Sequence, residues 1–542
     1  MQGTIVQMLD EQEQLQNKEG EPNTHVPQLI ASAPVEIEVK FRTDPFGQEL
    51  ALKSPLLGFP PDAKPLSLRS IYFDTPNFDL FRQGIVLRVR KTGRAAPVMA
   101  VKFADLVAGG AFQRVEVETK IQGLQPNLML LEPELRTKLS QIAGGAPLHA
   151  VFETQIKRRV SLVRVANLSV EVALDDGVVT TPEGLRRAIC ELELELKSGD
   201  PADLYTFASQ LAGELPLTLD FTSKSDKGFG LLKPENFAPS KAAQLMLDQQ
   251  TSVDTALAAV ITNTLGQFVG NWAALRQSDD PEAVHQLRVS LRRMRSAMKM
   301  FKRIVPCRAF DELRSDAKRI ASALGPAREL DTFIIDATRG PMSYSARPQG
   351  CDALMDVAEK SRAQAYRAAR ALIDDRETTL FVLKTQNFVA RNAWRNDVGG
   401  GELRVLTLPT FQAASSMLKW LHRRVLKRGK RLTERSDEER HLLRIALKDL
   451  RYGAEFFGST FGHSRHVRNL LKAVSELQEL LGSHNDTVTT AKLVQGLGQG
   501  LGLEGAQASG YVVGWYAGGI PLADSRLSAA WKAFKKQRPF WH

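Results

Sequence analysis

The sequence predicts an α+β protein in two parts, a charged antiparallel sheet or barrel followed by an all-helical region, and three observations predict it. Between Val35 and about Leu232, apolar and polar residues alternate with period two in one short segment after another. Beyond about residue 246 the apolar spacing changes to helical periods. Within that second stretch HQLRVSLRRMR (285–295) returns as HLLRIALKDLR (441–451), with His, Arg, a basic residue and Arg at the same four places, so the helical region is built from two related halves.

Taken in order, residues 1–33 are polar and acidic and read as a disordered tail. The region 34–232 holds eight alternating segments: VEIEVKF, RSIYFD, IVLRVRK, VMAVKF, FQRVEVETK, RRVSLVRV, LSVEVALDDG and ICELELELK. A helix is expected near 126–142, and another from Pro201, where Asp200 suits the N-cap and proline the first helical position. KPENFAPSK marks a linker over 233–245, because two prolines and polar residues separate differently patterned halves. The helical region then runs over 246–542. Asp280-Pro281 starts the helix of the first repeat, and the capping box Ser436-x-x-Glu439 starts that of the second.

Length and composition agree with this division. A chain of 542 residues exceeds one ordinary core, and 43% hydrophobic with 25% charged residues is a globular composition. Charge is uneven: 45 basic and 30 acidic residues from Met246 onward give +15, while the first 245 residues carry −4. The second part should therefore attract a polyanion. Cys190, Cys307 and Cys351 lack metal-ligand or redox spacing and read as buried thiols of a reducing compartment. The polar start does not resemble a signal peptide, and no apolar run is long enough to span a bilayer, so a cytoplasmic protein without a membrane partner is expected.

The polar faces of the strands carry the chemistry. In VEIEVKFR, Glu36, Glu38, Lys40 and Arg42 share one face; Glu116 and Glu118 alternate, as do Glu191, Glu193 and Glu195, and Arg88 and Arg90. One reading is a solvated outer face laced with cross-strand ion pairs. The other is a closed sheet with its charges inside, a polar tunnel where carboxylates hold a hard divalent cation and bases clamp phosphoryl oxygens. Acids grouped on some strands and bases on others favour the tunnel, since a merely wetted face has no need of that grouping.

At this point the chain resembles the CYTH superfamily, the triphosphate tunnel metalloenzymes. Glu36-x-Glu38-x-Lys40 matches the ExExK signature, and YFDTPNFDLFRQGIVLRVRK, VKF, QRVEVE, LDDG, ELELELKSGDP and SKSDKGFGLL follow in the family's order. The resemblance implies an eight-stranded antiparallel tunnel with flanking helices that binds a triphosphate with Mg2+ or Mn2+. It makes Glu36, Glu38 and Lys40 the expected catalytic centre. Metal ligands are Glu36 and Glu38 with two of Glu191, Glu193 and Glu195, which two being left open. Lys40, Arg88, Arg90, Lys102, Arg114, Arg158, Lys224 and Lys227 become the phosphate-binding bases. Lys227 stands where many relatives have Arg, which retains charge without the planar fork. Arg158 is followed by Arg159, so a one-residue slip would exchange faces. The implied chemistry is in-line attack of water on the terminal phosphorus, assisted by metal and fixed positive charge.

The repeats carry a second resemblance. His285, Arg288, Arg292, Arg295 and Lys299 fall in one arc of a helix whose opposite side holds Leu287, Leu291, Met294, Met298 and Phe301. His441, Arg444, Lys448 and Arg451 repeat the stripe, and LHRRVLKRGKR adds Arg423 and Arg424. A solvated helix face is the plain alternative, but repetition with so few acids points to an anion-binding surface; two histidines alone do not make a metal site. VHQLRVSLRRMRSAMKMF, LGPARELDTF, HLLRIALKDLRYGAEFF and LQELLGSHNDT resemble the CHAD domain, the conserved-histidine helical domain. That resemblance implies two four-helix bundles around a basic groove that takes inorganic polyphosphate. Asp449 stands where the first copy has Arg293. Nucleic acid is disfavoured as the polyanion, since the basic helices lack interleaved aromatics and no DNA-reading motif is evident.

Together these features point to a metal-dependent inorganic triphosphatase with an attached polyphosphate-binding domain, cytoplasmic and associating with polyphosphate granules. The tunnel resemblance also covers thiamine triphosphatase and adenylate cyclase chemistry. A non-catalytic polyphosphate-binding protein is the alternative from another class.

Overall fold

The computed structural model describes residues 36–541 except 63, 104–105, 109–110, 115, 234–236, 463–464 and 519. The expected tail over 1–33 lies outside the described residues. Strands are β1 (Glu36–Arg42), β2 (Leu66–Asp74), β3 (Ile85–Thr92), β4 (Val98–Phe103), β5 (Leu106–Ala108), β6 (Ala111–Arg114), β7 (Glu116–Lys120), β8 (His149–Val165), β9 (Leu168–Thr180) and β10 (Arg186–Ser198). The helices are α1 (Pro45–Lys53), α2 (Asp79–Arg82), α3 (Pro133–Ala143), α4 (Pro201–Glu214) and α5 (Lys224–Leu232), then the helical series α6 (Val253–Gly270), α7 (Trp272–Gln277), α8 (Pro281–Phe301), α9 (Ala309–Ala323), α10 (Gly325–Arg339), α11 (Gly350–Ile373), α12 (Arg376–Ala390), α13 (Gly400–Thr407), α14 (Thr410–Arg428), α15 (Asp437–Phe457), α16 (Arg465–Gly498), α17 (Gly502–Gly518) and α18 (Ile520–Lys536).

The sheet pairs in the order β6-β1-β10-β9-β8-β2-β3-β4-β7, all antiparallel. β6 and β7 stand at opposite ends of that path yet are one residue apart in the chain. The sheet therefore returns on itself. Counted as one strand, β6 and β7 make the ring eight-stranded, as the single sequence segment FQRVEVETK predicts, although they form two pieces with different neighbours.

Closure inverts the usual barrel. Val39 and Phe41 on β1, Leu192 and Leu194 on β10, and Val170, Val172 and Leu174 on β9 are almost fully buried on the outer face. Outside β2, β3 and β4, Phe73, Leu87, Val89, Met99 and Val101 form one core with Leu80 of α2 and Leu139 of α3. The alternate residues, charged in most strands, are left to the inside. At one end α5 contributes Phe229 to a cluster with Tyr72, Phe152, Leu68 and Ile156. A Cβ on Gly228 would lie 2.2 Å from the Phe152 ring, so glycine is what allows α5 to approach this closely.

In the helical part, α6, α8, α9 and α12 contact one another in a ring, the first bundle, and α14, α15, α16 and α18 form the second series. The repeat helices α8 and α15 touch each other: Ser296 and Lys299 bond Asp449, and the rings of Phe301 and Phe457 meet at 5.9 Å. Asp280 caps α8, and Ser436 and Glu439 form both bonds of the predicted capping box of α15. Asp200 caps α4 as expected. The two compact units do not divide at the 233–245 linker alone: residues 199–221, with α4, group with the helical unit, while α5 groups with the sheet.

Candidate functional site

Strand register assembles the inner face. Lys40 lies opposite Glu193, Glu38 opposite Glu195 and Arg42 opposite Glu191. One strand further, Glu191 faces Asp175 and Glu193 faces Ala173; beyond that Asp175 faces Arg158. Paired residues share a face, so one row of side chains crosses four strands. On the other wall Arg88 faces Tyr72 and Ala100, and Lys102 faces Glu116.

The acids and bases meet in two clusters. In the first, Asp175, Glu191 and Glu193 each bring a carboxylate oxygen within 4.8 Å of the others. Lys224, on the first turn of α5, reaches Asp175 at 2.9 Å, Glu191 at 2.7 Å and Glu193 at 2.5 Å. Arg158 forks between Asp175 and Glu193 at 2.6 and 2.5 Å, and Lys227 pairs with Glu191. The buried ammonium of Lys40 donates to the Thr222 carbonyl at 2.5 Å. Burial alone would raise the carboxyls of Glu191 and Glu193, but the surrounding charges, Lys224 foremost, hold both below their ordinary range.

In the second cluster Glu116 joins Arg88 at 2.9 Å to Lys102 at 2.5 Å. Burial works against its charge, yet Arg88 and Lys102 bring the carboxyl down to about 2. Glu118, near Arg88 at 3.5 Å, is raised by burial and by the charge of Glu116. Burial and neighbouring Arg88 lower Arg90 to about 10, and its Nε donates to Ser70 Oγ at 3.1 Å.

Of the three closing acids, Glu195 departs from the others. It is partly exposed and pairs with Lys197 at 2.6 Å, which also approaches Glu171 at 3.5 Å. Asp175 completes the cluster instead, a residue not singled out from the sequence. The side chains of Glu36 and Arg114 lie outside the described side chains; their backbones pair across β1 and β6.

The three carboxylates fit a hard divalent ion. Their donors are oxygens only, convergent and shielded, which is the donor set Mg2+ and Mn2+ accept and a soft ion does not.

In the helical unit, both repeats contribute to one cavity of about 760 Å³: His285 and Arg292 from α8, Lys448 and Arg451 from α15, with Lys241 and Arg468. Arg292 Nε is buried without a hydrogen-bond partner among the described residues. Burial and then Arg328 depress the His285 imidazole to about 4, so it is neutral at neutral pH. Other residues of the basic stripe are engaged elsewhere. Arg288 donates to the Ala321 carbonyl, while Lys299 and Arg424 bond Asp449 at 2.6 and 2.8 Å. Arg295 and Arg444 are half-buried, and Arg423 and His441 are exposed. Arg293, outside the predicted set, is buried and donates to Gln267 at 2.7 Å and Asn263 at 3.1 Å. Among the described residues no helix is long and apolar enough to cross a membrane.

Comparison with known proteins agrees with this geometry. The CYTH domain model matches residues 35–229 and the CHAD domain model residues 259–495. An inorganic triphosphatase of Haemophilus influenzae is 30% identical over 172 residues, 30% of this chain and 46% of that protein, so the chain spans about half of that relative's length. An uncharacterized protein of Mycobacterium tuberculosis is 25% identical over 455 residues, 78% of this chain and 80% of its own. The crystal structure of the CHAD domain from Ricinus communis is 29% identical and covers 56% of this chain and 98% of that one, at a TM-score of 0.48. With strand order, repeat and both domain matches in agreement, the chain belongs to the proteins in which a CYTH domain is followed by a CHAD domain.

Proposed function

We propose that the chain hydrolyses inorganic triphosphate inside the charged ring of strands, with a divalent cation, and that its helical domain binds inorganic polyphosphate. The observation that carries the first part is the closed ring itself. Its strand register sets Lys40, Arg88, Arg90, Lys102 and Arg158 on the face that also holds Asp175, Glu191 and Glu193, and α5 brings Lys224 and Lys227 to those acids.

Asp175, Glu191 and Glu193 would hold Mg2+ or Mn2+, together with Glu38 and Glu36 of the signature strand. When bound, such an ion withdraws charge from phosphoryl oxygens and so favours attack at phosphorus. The chain's own residues supply the rest. Arg88 and Arg158 offer planar forks to phosphate oxygens, while Lys40, Lys102, Lys224 and Lys227 offer point charges. Being fixed and shielded from water, these groups stabilise developing negative charge without reorganising during the reaction. Triphosphate would replace internal carboxylates as the partner of Arg158 and Lys224. Polyphosphate binding is supported by the cavity that both repeats line, with Arg292 Nε, buried and without a hydrogen-bond partner among the described residues, as one of its groups.

A substrate panel tests the reading: triphosphate, ATP, thiamine triphosphate and long polyphosphate, each with Mg2+ or Mn2+, followed as phosphate release. Triphosphate should turn over fastest, and Glu38→Ala with Glu193→Ala should remove that turnover while polyphosphate binding persists. Unchanged turnover in the double variant would rule out the tunnel as the catalytic site. Arg292→Ala with Lys448→Ala should weaken polyphosphate binding most strongly at low salt; unaltered binding would exclude the cavity.

A further inference from the structure

The basic stripe of α8 is not one continuous anion surface. Its first half, His285 and Arg292, opens on the cavity shared with Lys448 and Arg451. Its second half ends on Asp449. That carboxylate is only 5% exposed; one oxygen accepts from Ser296 Oγ at 2.7 Å, and the other from Lys299 at 2.6 Å and Arg424 at 2.8 Å. Arg295 and Arg428 lie within reach of its charge.

The repeat shows how unusual this position is. In the first copy the corresponding residue is Arg293, which donates to Gln267 and Asn263 of its own bundle and also lies 3.8 Å from Glu455 and over the Phe456 ring of α15. The second copy carries an acid there, and the acid meets cations of α8 and α14. A carboxylate that accepts three donors on two oxygens makes the contacts a phosphate group would make in the same place.

We infer that Asp449 is an internal counter-anion that withholds Lys299 and Arg424 from an external phosphate chain and so ends its footprint at the Arg292 and Lys448 side. A chain approaching the stripe finds these two cations bonded to one carboxylate, which cancels one of their two charges, and engaging both would require displacing that buried acid. This inference rests on the polyphosphate reading above and adds the limit of the bound segment.

The experiment is binding of long-chain inorganic polyphosphate to the full chain between 50 and 200 mM salt, for wild type, Asp449→Asn and Asp449→Ser, with Glu438→Gln as control. Glu438 is an exposed acid on the first turn of the same helix, so that change alters net charge equally without freeing the pair. Two more phosphate contacts should steepen the slope of log affinity against log salt by roughly 1.5. The ratio of variant to wild-type affinity should then be about eightfold larger at the low end of that range than at the high end. The serine variant keeps the test open if asparagine does not fold, and triphosphate turnover reports whether the rest of the protein is intact. Equal slopes in wild type and the Asp449 variants, or the same steepening in Glu438→Gln, would overturn the counter-anion while leaving polyphosphate binding standing. Absence of binding by every protein would overturn both.

Discussion

At the scale of single residues, the inner face of the ring holds charges that a folded protein would not ordinarily gather. Glu116 illustrates the balance: burial disfavours its charge, but Arg88 and Lys102 outweigh it and lower the carboxyl from 4.5 to about 2. A depressed carboxyl contributes stability that is present above its unfolded value and lost as pH falls through its folded value. Its share is therefore intact at neutral pH, declines between about pH 4.5 and 2, and amounts to on the order of 3 kcal/mol. Glu191 and Glu193, also lowered, add to the same acid-side loss. Glu116→Gln should lower the hydrogen-exchange protection of β4 and β7, taken relative to the intrinsic rate at each pH, at neutral pH and flatten the further loss of protection on acidification over that window. An acid response as steep as that of wild type would argue against the assignment. Most of this face was legible from strand parity alone, since Glu38, Lys40, Glu191 and Glu193 alternate with residues too apolar to face water. Asp175 was not, because two adjacent aspartates, Asp175 and Asp176, offer both faces. The available signal was parity with Glu171, while Val170, Val172 and Leu174 fill the other side.

At the scale of elements, α5 connects the fold to the chemistry. Its first turn carries Lys224 and Lys227 into the acid cluster, and it is held by a capping box in which Ser223 accepts from the Asp226 amide and Asp226 accepts from the Ser223 amide. Breaking a cap of this kind costs roughly 1 kcal/mol. Here the loss falls on the turn that aims two of the cations proposed to bind phosphate. Ser223→Ala should accordingly raise KM for triphosphate several-fold, whereas Ser436→Ala, which breaks the equivalent box of α15, should lower helical stability by a similar amount and leave KM unchanged. Equal effects of both changes on KM would mean that the cap acts only through global stability. The caps of α4, α8 and α15 could be read directly, because Asp-Pro and Ser-x-x-Glu satisfy helix-end amides whatever surrounds them. What sequence could not give was the partner of each helix. Helical periodicity reports which face is buried and not against what.

That limit matters most for the whole molecule. A change of pattern at 233–245 suggests a clean boundary, yet residues 199–221 group with the helical unit. The contacts are specific: Asp203 pairs with Arg391 at 2.5 Å, Asn387 donates to Thr206 at 2.7 Å, and the Leu219 amide donates to Thr379 at 3.3 Å. The buried side of α4 includes Leu204, Phe207 and Leu211, and α4 packs against α12. Each such side chain contributes about 1.5 to 3 kcal/mol when covered, offset in part by the cost of ordering the segment. A protein beginning at residue 237 loses this cover, while one beginning at residue 199 keeps it. All six tryptophans lie at Trp272 or beyond, so their emission follows the helical unit alone. The longer protein should melt at least about 5 °C above the shorter one, since roughly 1 kcal/mol moves the midpoint of a domain of 150 to 250 residues by 2–4 °C. Coincident melting curves would show that 199–221 contributes nothing to the helical unit and that the linker is the true boundary. A higher midpoint would mean that no single cut separates the units intact, because the segment stabilising the helices precedes in the chain the helix that delivers Lys224 to the acids.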